Sequence, residues 1–135
     1  MEIGIVGAGV ASAAATFVLD RTVGNARITV FEKSDTLAGR AATRHRDGRY
    51  YDYGANYLKD SDKRVVELLT GALDTDGLVT IEEPIYVFDG DGTVERGRDS
   101  TGRKWTYRNG LSQIGKRLFG RTEATIYRQT RIETI

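Results

Sequence analysis

Ile3-Gly4-Ile5-Val6-Gly7-Ala8-Gly9-Val10-Ala11-Ser12 begins as a short apolar run and ends as the first turn of a helix. Ile3 to Val6 has the texture of a strand buried on both faces, and Gly7 stops it. Residues 10–20 contain no glycine or proline. They place Val10, Ala14, Phe17 and Val18 on one face, which predicts a helix of about three turns. Arg21 to Asn25 breaks that helix. Ala26-Arg27-Ile28-Thr29-Val30-Phe31 is again β-branched and apolar before Glu32. Strand, helix and strand within about thirty residues predict a right-handed βαβ crossover with parallel strands.

Outward from this unit the signals are shorter. Arg44-His45-Arg46-Asp47-Gly48-Arg49 holds an Asp-Gly turn, and Tyr50, Tyr51 and Tyr53 follow it. The pattern predicts an extended loop or small hairpin, with the tyrosines in the core and the basic cluster on a solvated face. Residues 62–73 carry Val65, Leu68, Leu69 and Leu73 at helical spacing behind Ser61 or Asp62 as cap. Val79 to Asp89 and Thr93 to Arg96 read as strands around Asp89-Gly90-Asp91-Gly92, with Pro84 restricting the first. Trp105 is expected in packing. Leu111 to Phe119 reads as a third helix, and Ala124 to Ile135 alternates like a last strand.

Composition narrows the function. Twenty basic against nineteen acidic side chains leave a net charge of +1, too little for the positive field that a phosphate backbone requires, so nucleic acid is not an expected partner. The absence of cysteine excludes disulfides, thiolate zinc sites and a cysteine nucleophile, and agrees with a reducing, cytoplasmic location. With His45 the single histidine, no histidine-rich metal site can form. No apolar run approaches the roughly 18 residues of a membrane span, and no secretory leader is evident. A metal or a membrane is therefore not expected.

The chemistry lies in Gly7-Ala8-Gly9-Val10-Ala11-Ser12. Glycines at a strand-to-helix turn permit the tight bend and let a pyrophosphate approach the backbone, where helix N–H groups and the positive helix end hold the anion. Ser12 stands where Gly or Ala would pack the helix closest; its hydroxyl can bond back to a carbonyl one turn earlier. Glu32, twenty-five residues past Gly7, is placed to accept bonds from ribose hydroxyls and would repel a 2′-phosphate. The plainer alternative makes Gly7 and Gly9 ordinary turn residues and Glu32 a strand-end charge. The motif alone does not separate NAD from FAD.

Four blocks in order go further. Val6-Gly7-Ala8-Gly9-Val10-Ala11, Val30-Phe31-Glu32-Lys33, Ala38-Gly39-Arg40-Ala41-Ala42-Thr43-Arg44 and Asp52-Tyr53-Gly54-Ala55-Asn56-Tyr57 resemble the N-terminal part of the renalase-like branch of the flavin amine oxidase superfamily. Trp105, Asn109-Gly110-Leu111-Ser112 and Gln129-Thr130-Arg131-Ile132 extend the resemblance over nearly the whole chain. It implies an α/β fold: a Rossmann-like FAD-binding βαβ domain with a small antiparallel β insertion, incomplete relative to the family. Residues 1–135 would form a single, partial FAD/NAD(P)-binding domain.

By the same resemblance, Gly7, Ala8, Gly9, Val10 and Ala11 would wrap the FAD pyrophosphate, Glu32 would take the adenosine ribose, and Lys33 beside it belongs to the cofactor-binding set. Arg40, between Gly39 and Ala41, would give charge-assisted bonds to phosphate or flavin-side oxygens. Asn56 and Tyr57 would lie beside the isoalloxazine, and Ile132 would present its backbone to adenine. Ser12, Ala38 and the short Asn56 depart from the family pattern. NAD(P)H is the candidate electron donor, the substrate is a small molecule, and no catalytic residue stands out. Family members are longer, and what they add holds a substrate-binding sheet and a C-terminal flavin-binding strand. The alternatives are a truncated, non-catalytic nucleotide-binding or homo-oligomerising domain associating through an uncovered sheet edge, and an NAD-binding dehydrogenase domain resting on Gly7, Gly9 and Glu32 alone.

Overall fold

A computed structural model describes residues 1–97 and 102–134. The opening crossover forms as read: strand β1 (Glu2–Val6), helix α1 (Val10–Thr22) and strand β2 (Arg27–Phe31). β1 pairs in parallel with β2. A 3₁₀ turn (Gly39–Ala41) leads into the hairpin β3 (Thr43–Arg46) and β4 (Arg49–Asp52). Asp47 and Gly48 both have positive φ, 51° and 73°, the geometry that an Asp-Gly hairpin turn requires.

Strand β5 (Leu58–Lys59) precedes helix α2 (Lys63–Glu67), which runs into a π-helical turn over Leu68–Ala72. Asp62 caps α2 by accepting from the Arg64 N–H. Hydrogen bonds from the Arg64 side chain, then its backbone, hold the Asp62 carboxyl down to about 2. Strand β6 (Leu78–Thr80), the hairpin β7 (Tyr86–Phe88) and β8 (Val94–Arg96), strand β9 (Lys104–Tyr107), helix α3 (Gln113–Phe119) and strand β10 (Thr125–Tyr127) complete the order. β9 lies between β5 and β6 in an antiparallel sheet. It was not foreseen as a strand, although Trp105 within it is buried as expected.

The parallel sheet has the order β1-β2-β10. Ile28 and Val30 are buried, and Ile3, Ile5 and Ile126 pack onto the same core with Phe17 of α1 and Leu118 of α3. Among the described residues, only this face is layered by helices. Glu2, Gly4 and Val6 are therefore exposed, Val6 to 52%, and the doubly buried β1 is corrected to a half-buried edge strand. Val6, Phe31 and Tyr127 stand in register on the open face, with the two rings stacked at 5.8 Å.

Three further expectations shift. α1 buries Ala13, Thr16 and Phe17, while Val18 is 54% exposed; an alanine-rich helix lacks the contrast that would fix its phase, and α3 chooses the face. Tyr50, Tyr51 and Tyr53 are exposed, because no element among the described residues covers them. The last strand ends at Tyr127. Gln129 takes φ 55° and the chain turns so that the Thr130 N–H donates to the Glu32 carbonyl at 2.8 Å. Ile135, the end of the expected strand, lies outside the described residues. No helix among the described residues is long and apolar enough to cross a membrane.

Candidate functional site

The site grows from the end of β1. Gly7 has φ 91°, and its N–H donates to the Phe31 carbonyl at 2.7 Å. The next N–H, of Ala8, donates to Glu32 Oε2 at 2.7 Å. Glu32 Oε1 accepts from the Ser34 N–H at 2.8 Å. Glu32 is 8% exposed. Burial raises its pKa, but the bonds from Ala8 and Ser34, with the Lys33 charge, outweigh that and hold it below the usual carboxylate value. A carboxylate offers about four acceptor positions, so two remain for hydroxyl donors.

The first intrahelical bond of α1 runs from the Ala13 N–H to the Gly9 carbonyl at 2.9 Å. The N–H groups of Val10, Ala11 and Ser12 thus have no partner within the helix. Gly9 caps it without a side chain, and no acidic residue stands in the first turn. The Ser12 hydroxyl makes no back-bond; instead its carbonyl accepts from Thr16 Oγ1 at 2.8 Å.

Two cavities flank this turn. One of about 230 Å³ lies between Gly7, Glu32, Lys33 and the returning segment Thr130, Arg131, Ile132. The other, about 280 Å³, lies between Gly9, Val10, Ala11 and Arg40, Ala41, Ala55. Arg40 is exposed, and its guanidinium makes no hydrogen bond or ion pair among the described residues, which leaves a free cation beside the first turn of α1. The sequence-predicted residues Gly7, Gly9, Val10, Ala11, Glu32, Lys33, Arg40, Ala41 and Ile132 thus line the two cavities. Asn56 and Tyr57 line neither. Asn56 is exposed, and the Tyr57 ring lies 5.8 Å from Lys104 Nζ.

The arginine segment is held by close backbone approach. The Ala38 N–H donates to the Ala8 carbonyl at 2.9 Å, and a Cβ on Gly39 would meet Gly9 Cα at 3.1 Å. Ala38 itself has φ 83°, a left-handed conformation that costs a residue with a Cβ about 1 to 2 kcal/mol. Ala38→Gly is expected to raise unfolding stability by about 0.5 to 1 kcal/mol, after allowing for the looser unfolded chain. Denaturant melts measure this; a loss of stability would show that the methyl's packing outweighs the strain.

Sequence reasoning missed the parts that lock this loop. Gly54 lies against Arg40, whose carbonyl accepts the Ala55 N–H at 2.8 Å. Asp52 accepts from Thr43 Oγ1 at 2.5 Å and from the Leu111 N–H at 2.9 Å, while Thr43 Oγ1 accepts from the Ser112 N–H at 3.1 Å. These bonds tie the β3–β4 hairpin to the start of α3. The Asp-x-Gly spacing of Asp52 and Gly54 was the available signal.

A parallel β1-β2-β10 sheet with a glycine turn leading into α1 defines a Rossmann-like nucleotide-binding class. Residues 5–71 match the family model of the NAD(P)-binding Rossmann-like domain. Among solved structures, the chain is similar to a protein of Exiguobacterium sp. 255-15 provisionally described as a protoporphyrinogen oxidase (TM-score 0.65, 13% identity, 98% of this chain and 54% of that one). A Pyrococcus furiosus protein solved as a structural genomics target gives TM-score 0.62 at 12% identity, over 96% of this chain and 51% of that one. Putrescine oxidase bound to putrescine gives TM-score 0.50 at 23% identity, over 73% of this chain and 22% of that one. The chain therefore spans about half the length of the first two and about a fifth of the third. No curated protein matches the sequence.

Proposed function

We propose that this chain seats FAD, as the nucleotide-binding part of a renalase-like NAD(P)/FAD-dependent oxidoreductase acting on a small molecule. The observation that carries it is Gly9. Its φ of −71° and ψ of 173° suit any residue, and a Cβ built there meets no atom within 4 Å. Neither conformation nor packing calls for glycine, yet a side chain would stand in the open space beside the first amides of α1, which have no partner within the helix. A ligand approaching the backbone accounts for that.

In this assignment the amides of Val10 and Ala11 and the Arg40 guanidinium hold the diphosphate. Glu32 takes the ribose hydroxyls with its two remaining acceptor positions, and Ile132 borders the adenine. Bound FAD supplies the hydride-accepting ring. Asn56 and Tyr57, next to Ala55, would border the flavin. The solved neighbours named as oxidases, and the similarity of the motif order, support FAD over NAD alone.

Titration of the folded chain with FAD, followed by flavin fluorescence quenching, is expected to saturate. Arg40→Ala should weaken binding about tenfold or more, the loss of a charge-assisted bond. A folded chain that leaves flavin fluorescence unchanged overturns the proposal. NAD binding indifferent to Arg40 would favour the dehydrogenase-domain alternative. The other alternative, a non-catalytic homo-oligomer, draws on β1 lying at the edge of its sheet, with one side open to pairing. A colourless oligomer would favour it.

A further inference from the structure

A third cavity, of about 270 Å³, shares no lining residue with the two dinucleotide cavities. Asp35 and Thr36 line it ahead of the 3₁₀ turn that carries Arg40, and Thr43 lines it after that turn. Ser112 and Lys116 come from the start and body of α3, and Arg128 from one residue past β10. Segments far apart in sequence thus meet around one hollow.

Its polar groups are mostly donors. The Arg128 guanidinium is held at the cavity by one bond, from Nη1 to the Asp35 carbonyl at 3.1 Å, which uses one of its five N–H donors. Lys116 is exposed, and its ammonium makes no hydrogen bond or ion pair among the described residues. Ser112 is 5% exposed. Its N–H donates to Thr43 Oγ1 at 3.1 Å, but its hydroxyl makes no hydrogen bond among the described residues. A hydroxyl so sheltered ordinarily has a partner.

Two cations and an unbonded hydroxyl, against the single carboxylate of Asp35, fit an oxyanion. Arginine binds phosphate as a planar fork and lysine as a point charge. The volume lies below the roughly 300 to 1,000 Å³ of most small-molecule sites, which suits a compact ligand and not a dinucleotide. We propose that this cavity is a second anion site, which binds a small phosphate-bearing molecule through Arg128, Lys116 and the Ser112 hydroxyl. Asp35 accepts from a ligand hydroxyl, whether on a sugar or on the phosphate itself.

Titration of the full ¹⁵N-labelled chain, followed by amide chemical shifts, tests this with inorganic phosphate and ribose 5-phosphate as probes. At least one is expected to saturate, with the largest shifts at Asp35, Thr36, Ser112 and Arg128. Lys116→Gln, Arg128→Gln and Ser112→Ala should each weaken binding about tenfold, the loss of one bond to a charged group. Circular dichroism should be unchanged in all three, since the cations are exposed and the hydroxyl is unbonded. Tighter binding of ribose 5-phosphate identifies an organic monoester as the ligand; equal or tighter binding of inorganic phosphate identifies free phosphate. Failure of both probes to saturate, or binding indifferent to Lys116 and Arg128, overturns the proposal. So do shifts that centre on Val10 and Ala11 and vanish in Arg40→Ala, which place the phosphate in the dinucleotide site. FAD titration reads different cavities, so either assignment can fail alone.

Discussion

Glu32→Ala is expected to weaken FAD binding by about 1.5 to 3 kcal/mol, roughly ten- to a hundredfold, the range for hydrogen bonds to a charged group. It should also destabilise the ligand-free fold by about 1 to 3 kcal/mol, since two backbone N–H groups lose their acceptor. Those groups belong to Ala8 and Ser34, so the glycine turn and the exit of β2 loosen together. Calorimetric titration and urea melts separate the two effects. Unchanged affinity in a folded variant would show that the ribose does not sit at Glu32.

The same residue sets a pH dependence. Folding lowers the Glu32 pKa below its ordinary 4.5, so the folded state favours the charged form. Its contribution is complete above pH 4.5 and is lost as pH falls through the lower folded-state value. The parent chain should therefore lose stability relative to Glu32→Ala on acidification through that window. A stability difference between the two that stays constant there would contradict the carboxylate's role.

Gly54→Ala is expected to cost about 3 kcal/mol, combining overpacking against rigid backbone with a broken hydrogen bond. A Cβ at Gly54 would lie 2.0 Å from the Arg40 carbonyl oxygen and 2.9 Å from its carbon. The Ala55 N–H to Arg40 carbonyl bond must open to make room. For a chain of this length the thermal midpoint should fall by roughly 10 °C. FAD affinity should fall with it, because Arg40 rides on the displaced segment. An unchanged midpoint would mean that the loop relaxes freely and that Gly54 does not position Arg40.

Much of the cavity lining was legible because its determinants are local. Gly7 is required by the positive φ of its turn, Gly9 stands at the strand-to-helix turn beside open space, and Glu32 stands one residue past β2. Arg40 was reached through the order of motif blocks. Gly54, Asp52 and Thr43 stand in the same blocks, but their locking roles were not legible, because their partners are set by the fold: Gly54 packs on Arg40, Asp52 serves Leu111, and Thr43 serves Ser112. Such hydrogen bonds leave no periodic trace in sequence.

Short-range chemistry therefore determined the βαβ order, the Asp47-Gly48 turn and the Asp62 cap, each a matter of dihedral preference or of a side chain reaching its own neighbouring backbone. Which faces are covered was a tertiary decision. β1 and the tyrosines of β4 have compositions equally at home in a core or on a surface. Because the described helices layer only one side of the parallel sheet, Val6 lies in the open; because no described element covers Tyr50, Tyr51 and Tyr53, they do too. Burial is set by the position of other segments, and only the assembled chain specifies that.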